Sequence, residues 1–181
     1  MKRQQGVGIV EVLVALVVVS LGVLGMASLQ LTGMQHSTGG LNRSKALLYA
    51  ENTATRMRTN RPAVRSQLFD GFDSGNLSCN ARPAPYCQAS AAGAAERCDV
   101  AELVEFDLFS VSCGDWGPNG AEDGVLGSLP NGQLTIDCDT DTGPCVETSN
   151  YTITVSWTEG QRVTSDMNDT VRRRVQMRMK P

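Results

Sequence analysis

A single carboxylate stands at the start of the most apolar stretch of the chain. Glu11 is followed by residues 12–29, about 18 positions without a charged side chain, which is long enough to cross the hydrocarbon core of a bilayer as a helix. An ionisable group is costly in that environment, so Glu11 is predicted to have a function. The alternative is that Glu11 merely lies among lipid headgroups.

Six cysteines are the other residues with evident chemistry. An even number in an exported domain predicts disulfides, and C-x-x-C spacing of the kind that binds zinc is missing. The best single pair is Cys138 with Cys145, which would close a small loop, and the remaining connectivity stays open. We therefore expect no metal and no cofactor. The cysteines all follow the apolar stretch: Cys79, Cys87, Cys98, Cys113, Cys138 and Cys145.

Two polar groups invite a catalytic or metal-binding interpretation. His36 is the one histidine of the chain, and in its polar surroundings it is expected to be solvated rather than catalytic. Residues 137–145 contain alternating aspartates, like a calcium loop, but the glycine comes one position late and Thr148 occupies the twelfth position. A loop closed by a disulfide explains this cluster without calcium. We expect no catalytic residue.

A short basic leader precedes Glu11. Lys2 and Arg3 favour a cytoplasmic N-terminus. An ordinary secretory signal cut near residues 25–27 is the alternative, but a glutamate inside its apolar region and the length of that region both fit it poorly. The sequence therefore argues against an ordinary secretory signal.

The sequence Gly6-Val7-Gly8-Ile9-Val10-Glu11 resembles the class III signal of type IV pilins and type II secretion pseudopilins. The resemblance implies that a prepilin peptidase cuts after Gly6 and methylates Val7, and that Glu11 holds the family's glutamate position. Val7 and Gly8 stand where the family usually has Phe and Thr. The Val7 ammonium of one subunit would neutralise Glu11 of a neighbour and select one axial register of the packed helices.

The apolar run is expected to continue into an amphipathic helix that Pro62 ends at Arg61. Gly22, Gly25 and Gly33 lie in the run, where either close helix packing or local melting during assembly explains them. An apolar stripe at helical spacing follows, formed by Leu47, Ala50, Ala54, Met57, Val64 and Leu68. We divide the chain into a removed leader (1–6), a transmembrane or filament-core half-helix (7–32), an amphipathic half-helix (33–61) and a globular head (62–181).

The head is expected to complete an α+β fold stapled by disulfides. A short helix is predicted over residues 99–109, beginning at Asp99, within a region rich in turn signals. Strands are predicted at 132–137, 151–158 and 171–180, the last two forming an antiparallel pair whose loop starts at Glu159-Gly160. A long N-terminal helix followed by such a sheet is similar to the type IV pilin fold.

The charge of the chain argues against one class of partner. The formal net charge is −3, and it becomes more negative if Lys2 and Arg3 are lost with the leader. The arginines of the last predicted strand are expected to form a solvated face that also discourages edge aggregation. We therefore expect no nucleic-acid partner.

Parts of the head resemble the PilV family of type IV pilus modification proteins, namely residues 98–100, 129–132 and 151–157. The resemblance implies a non-enzymatic minor pilin that first sits in the inner membrane with its head in the periplasm. It would prime pilus assembly there and then enter the pilus near its tip. The implied partners are the prepilin peptidase, the major pilin, a PilY-type tip protein and other minor pilins (PilW-, PilX-, PilE- and FimU-like).

Two other functions stay open. A minor pseudopilin of a type II secretion system would carry the same N-terminal signal. A membrane-anchored or secreted periplasmic enzyme or binding domain belongs to a different class. Against that class, the sequence contains no nucleophile motif, metal constellation or phosphate loop.

Overall fold

The computed structural model describes residues 8–89, 93–139, 145, 149–160 and 170–180. The chain divides into two compact units, Met1–Leu41 and Asn42–Pro181. Helix α1 (Ile9–Thr59) contributes residues to both of them. The predicted leader, with Gly6 and Val7, lies outside the described residues.

In the first unit, α1 remains helical through Gly22, Gly25 and Gly33. The hydroxyl groups of Ser20 and Thr32 donate to backbone carbonyls four residues earlier, at 2.7 and 3.0 Å. These bonds satisfy polar side chains within the helix itself, as an apolar environment requires.

The second unit contains one main sheet and one small hairpin. The main sheet is antiparallel with the strand order β1-β4-β5-β6, and β2 pairs with β3. After α1 the elements are α2 (Arg61–Arg65), β1 (Phe72–Asp73), a 3₁₀ turn (Ser74–Asn76), α3 (Val100–Cys113), β2 (Gly114–Gly117), β3 (Gly120–Asp123), α4 (Val125–Ser128), β4 (Gln133–Asp139), β5 (Asn150–Gly160) and β6 (Thr170–Met179).

The predicted alternation of the last strands is confirmed. On β5 the side chains of Tyr151, Ile153, Val155 and Trp157 are buried, and those between them are partly exposed. The β5–β6 ladder extends to Gly160, which pairs with Thr170, so the predicted start of the loop at Glu159-Gly160 is wrong. Backbone pairing carries the strand beyond the point where its apolar alternation stops.

The second half of α1 packs on this sheet through small side chains. Ala46, Ala50, Ala54 and Met57 are fully buried and belong to the same core cluster as the inner residues of β4 and β5. Leu47 and Leu68 were assigned to the apolar stripe from the sequence, but they are 43% and 39% exposed. One residue along a helix turns the side chain by about 100°, so the face defined by Ala46 and Ala50 excludes Leu47.

Pro62 marks a helix boundary, although the helix ends before the predicted Arg61. α1 stops at Thr59, and Asn60 becomes the N-cap of α2 by accepting a hydrogen bond from the Ala63 amide at 3.4 Å. Pro62 lies in the first turn of α2, where its missing N–H costs no hydrogen bond.

The predicted helix beginning at Asp99 is present as α3. The Asp99 side chain accepts hydrogen bonds from the amides of Ala101 and Glu102, and the Glu102 carboxylate accepts one from the Asp99 amide at 2.8 Å. This reciprocal capping box is a local signal that the sequence shows directly. The helix continues to Cys113, four residues beyond the predicted end.

All six cysteines are in disulfides: Cys79–Cys113, Cys87–Cys98 and Cys138–Cys145. The first connects the chain after the 3₁₀ turn to the end of α3, and the last is the pair singled out from the sequence. The fold is thus α+β, with a long apolar N-terminal helix, a C-terminal antiparallel sheet and three disulfides, as expected of a pilin fold.

Removing Cys79–Cys113 should destabilise the second unit more than removing Cys138–Cys145. Their sequence separations are 34 and 7 residues, and the chain-entropy model then assigns them roughly 4 and roughly 2 kcal/mol. Each pair would be replaced by two alanines and the free energy of unfolding measured in urea. Equal losses, or the reverse order, would contradict the loop-entropy explanation.

Candidate functional site

Glu11 lies in the first turn of α1. Its backbone amide and that of Val12 both donate to the Gly8 carbonyl, at 2.9 and 3.3 Å, which closes the first helical turn. The free amides at a helix N-terminus carry partial positive charge and favour a carboxylate there. The helix N-terminus therefore stabilises the Glu11 carboxylate, but its partial charge of about +0.5 does not neutralise it fully.

The surroundings of Glu11 in the first unit are apolar. Between residues 8 and 41 it is the one Asp, Glu, Lys or Arg in the sequence. A shallow groove beside it on the helix surface is lined by Val12, Ala15, Leu16 and Val19. Because Ala15 is small, a neighbouring helix can approach the carboxylate closely at this point.

The apolar side chains of this half of α1 are exposed on every side. Ile9 is 81% exposed and Leu29 is 76% exposed, with the intervening valines and leucines at about half or more. Of the helices described, α1 has the length and apolar composition that crossing a membrane requires. Signal sequences near an N-terminus share those two properties. Length and composition therefore do not distinguish a membrane anchor from a secretory signal, and the sequence motif has to do so.

The other polar candidates do not form a catalytic or metal centre in the described part of the chain. His36 is exposed on α1. Asp70, Cys138 and Cys145 place possible ligand atoms within 4.8 Å of one another, but both sulfur atoms belong to a disulfide. Of the aspartate-rich segment that was compared with a calcium loop, residues 140–144 and 146–148 lie outside the described residues.

One partly buried polar network in the second unit was not predicted. Arg56 on α1 forms an ion pair with Asp107 on α3, donates to Ser110 Oγ at 3.3 Å and donates from Nε to Asn52 Oδ1 at 2.8 Å. Burial raises the pKa of Asp107, against the opposing effect of the Arg56 guanidinium. An aspartate between Phe106 and Leu108 in an apolar helix was the available signal, but its partner lies 51 residues away.

A second aspartate has the opposite environment. Asp73 Oδ1 accepts hydrogen bonds from Gln133 Nε2 at 2.7 Å and from the Gly75 amide at 2.8 Å. These two bonds, with a smaller contribution from Arg172, hold the pKa of Asp73 below its usual value.

The two aspartates should change stability with pH in opposite senses. The pKa of Asp107 is raised on folding, so this group lowers stability as pH rises from its ordinary value of 3.8 through the folded value. The pKa of Asp73 is lowered, so its contribution is present above 3.8 and is lost as pH falls through the folded value.

Thermal unfolding of Asp107→Asn and Asp73→Asn would be compared with the wild type between about pH 3 and pH 7. As pH rises, the Tm of Asp107→Asn should gain on that of the wild type, and the Tm of Asp73→Asn should fall behind it. The same pH trend in both variants would contradict the assigned causes.

Comparison with known families places this geometry in context. Residues 1–27 match a family model described as the prokaryotic N-terminal methylation motif. The match covers Gly6, Val7 and Glu11 and supports a type IV pilin-like protein, a structural subunit rather than an enzyme. Such a motif implies processing by a prepilin peptidase and assembly with other pilins in a pilus or pseudopilus. No curated protein and no solved structure matches the chain significantly.

The motif and the apolar helix both indicate where the protein is located in the cell. An N-terminal methylation motif followed by an apolar helix of membrane-spanning length fits a membrane-anchored protein that is later incorporated into a filament. The motif favours this location over an ordinary secretory signal, a distinction that length and composition alone do not make.

Proposed function

We propose that this protein is a PilV-like minor pilin that helps to prime type IV pilus assembly and is then incorporated near the pilus tip. The observation that carries the proposal is Glu11, the one Asp, Glu, Lys or Arg between residues 8 and 41 of a helix that begins inside a methylation motif. The resemblance of parts of the head to the PilV family supports a PilV-like protein among the pilin-like proteins.

The chain would work in four parts. Residues 1–6 are the leader that the prepilin peptidase removes after Gly6, and Val7 becomes the methylated N-terminus. Residues 7–32 anchor the subunit in the inner membrane and later enter the filament core. Residues 33–61 contain the amphipathic half of α1, which ends at Thr59, and residues 62–181 form the periplasmic head.

Docking would depend on the charge of Glu11. When the helix leaves the membrane and packs against apolar helices, the carboxylate loses its contact with water and headgroups. A neighbour's Val7 ammonium then neutralises it in the correct axial register, and any other register leaves a buried charge unpaired. The groove beside Ala15 allows that approach.

The head would provide the specific contacts. Its disulfides suit an oxidising periplasm and stabilise a domain with a modest core. Expected partners are the major pilin, PilW-, PilX-, PilE- and FimU-like minor pilins and a PilY-type tip protein. A minor pseudopilin of type II secretion is the second candidate, since the same motif serves both systems.

The first test is the intact mass and N-terminal peptide of the protein extracted from native membranes. We expect a chain that starts at Val7, with or without one added methyl group. A start near Ser28 would indicate a secreted domain, and an uncleaved Met1 would indicate a simple anchor. Either result would contradict the pilin proposal.

A deletion strain separates the two filament systems. Loss of surface pili with normal type II secretion supports the minor pilin. Normal pili with lost secretion would support the pseudopilin instead. Re-expression of the wild-type chain is the control for effects on neighbouring genes.

A further inference from the structure

We propose that the second unit carries a binding site for an organic cation, the guanidinium or ammonium group of a partner protein's Arg or Lys side chain. The site is a cleft of about 470 Å³ between α1, α3 and the β2–β3 hairpin, which we call the acidic cleft. Its principal lining residues are Tyr49, Arg56, Asp115, Trp116, Glu122 and Asp123. The site is independent of the proposed assembly role of Glu11.

The hairpin places two like charges directly opposite each other. Asp115 on β2 pairs with Glu122 on β3 in the antiparallel register, so both side chains are on one face of the hairpin. Both are exposed and line the cleft. Among the described residues neither forms an ion pair, and Asp115 only accepts a hydrogen bond from Ser110 Oγ at 3.3 Å. Like charges directly opposite each other repel, and a cation bound between the two carboxylates would relieve that repulsion.

The basic side chain in the lining of the acidic cleft already has partners. Arg56 lines the cleft, but it forms an ion pair with the buried Asp107 and also donates to Ser110 and Asn52. Because Arg56 and Asp107 neutralise each other, the rim keeps the negative charge of Asp115, Glu122 and Asp123. The cleft is therefore complementary to a cation supplied from outside.

Two held aromatic rings line the same space. The Tyr49 hydroxyl donates a hydrogen bond to the Asp123 carbonyl. The Tyr49 hydroxyl oxygen also lies 2.9 Å from Ser128 Oγ. Trp116 is partly exposed, with its ring centroid 6.3 Å from that of Phe109 and its amide bonded to the Tyr86 hydroxyl at 3.0 Å. Aromatic faces beside carboxylates attract guanidinium and ammonium groups by combined cation–π and ionic contacts.

The spacing of the acids favours an organic cation over a metal ion. In the described part of the chain, one group of three residues has possible metal-ligand atoms within 4.8 Å of one another. It consists of Asp70, Cys138 and Cys145, none of which lines the acidic cleft. Calcium needs several oxygen atoms gathered at about 2.4 Å. A guanidinium spreads its donors over a plane and can reach separated carboxylates while it covers an aromatic ring.

The test is a titration of the full chain in detergent, followed by Trp fluorescence. The probe is N-acetyl-arginine amide, and the control ligand is N-acetyl-citrulline amide, which has nearly the same shape without the charge. The wild type should give a saturable change with the arginine probe alone, and this change should be absent in Trp116→Phe. The variant Asp115→Asn/Glu122→Gln should bind roughly tenfold or more weakly, as expected for lost charged contacts.

Glu105→Gln is the matched protein control. Glu105 is exposed on α3 and is not among the residues that line the cleft, so this change alters the net charge without altering the site. It should bind as the wild type does. Equal responses to arginine and citrulline, or unchanged binding by the double variant with an intact circular dichroism spectrum, would overturn the proposal.

Two further arms identify the source of the cation. A short peptide with two arginines should bind more tightly than the single amide by roughly tenfold if the site recognises a protein. Equal affinity would reassign the site to free small amines and overturn the protein partner. The same fluorescence change with calcium chloride alone would show a metal site and overturn the organic cation.

Discussion

Replacement of Glu11 by Gln should leave leader removal intact and reduce incorporation into filaments by at least roughly a hundredfold. In the proposed assembly, the variant leaves a neighbour's ammonium unpaired among apolar helices, and breaking one partner of a buried ion pair costs about 3–5 kcal/mol. The ratio of the protein in sheared filaments to that in membranes would be measured by immunoblot. The mass of the membrane form would report cleavage in the same samples.

Two variants make this result specific. Glu51→Gln removes an exposed carboxylate from the same helix and should leave incorporation unchanged. Glu11→Asp keeps the charge on a shorter side chain and should restore part of the incorporation. Normal incorporation of Glu11→Gln would show that Glu11 does not select the docking register.

Gly114→Ala should destabilise the second unit by more than about 4 kcal/mol, because two independent costs coincide at this position. Gly114 has φ of +92° where α3 passes into β2, a conformation that residues with a side chain rarely adopt. A Cβ atom there would lie 1.5 Å from the Glu122 carbonyl oxygen and 2.7 Å from the Gly124 amide nitrogen. Both contacts are with backbone, so no side chain can move aside.

Gly117→Ala is the matched control within the same hairpin. The nearest atom to its added Cβ is the Gly120 carbonyl oxygen at 3.7 Å, an ordinary van der Waals contact. Its cost should stay within about 1 kcal/mol. Urea unfolding followed by fluorescence would compare the two, with folded yield as a second readout. Similar midpoints for both variants would show that the hairpin backbone adjusts more freely than its geometry implies.

Much of the fold was predictable because its signals are local. The alternation along β5 and β6 requires only neighbouring residues, and the capping box of Asp99 and Glu102 spans a single helical turn. The N-terminal motif is equally local, since a peptidase reads a short segment before any tertiary structure is needed. Glu11 was identified for the same reason, as a charge in an apolar run.

The β2–β3 hairpin and α4 were not predicted from their residues. Gly114–Gly117 and Gly120–Asp123 have neither the alternation nor the β-branched composition that marks a strand. Their backbone conformation is set by Gly114, which fits against the backbone around Glu122 and Gly124, and by the disulfide that anchors Cys113. Such contacts exist only after α3 and the hairpin have come together.

The sequence by itself determined an apolar helix with Glu11 at its start and the α+β character of a head with disulfides, and it predicted the leader. Only the tertiary structure decided the partners of Cys79 and Cys87, the pairing of Arg56 with Asp107 and the convergence of acids and aromatic rings in the acidic cleft. Local patterns depend on the period of a helix or strand and can be read along the chain. Pairings between distant residues depend on how the elements pack, and no spacing in the sequence records that packing.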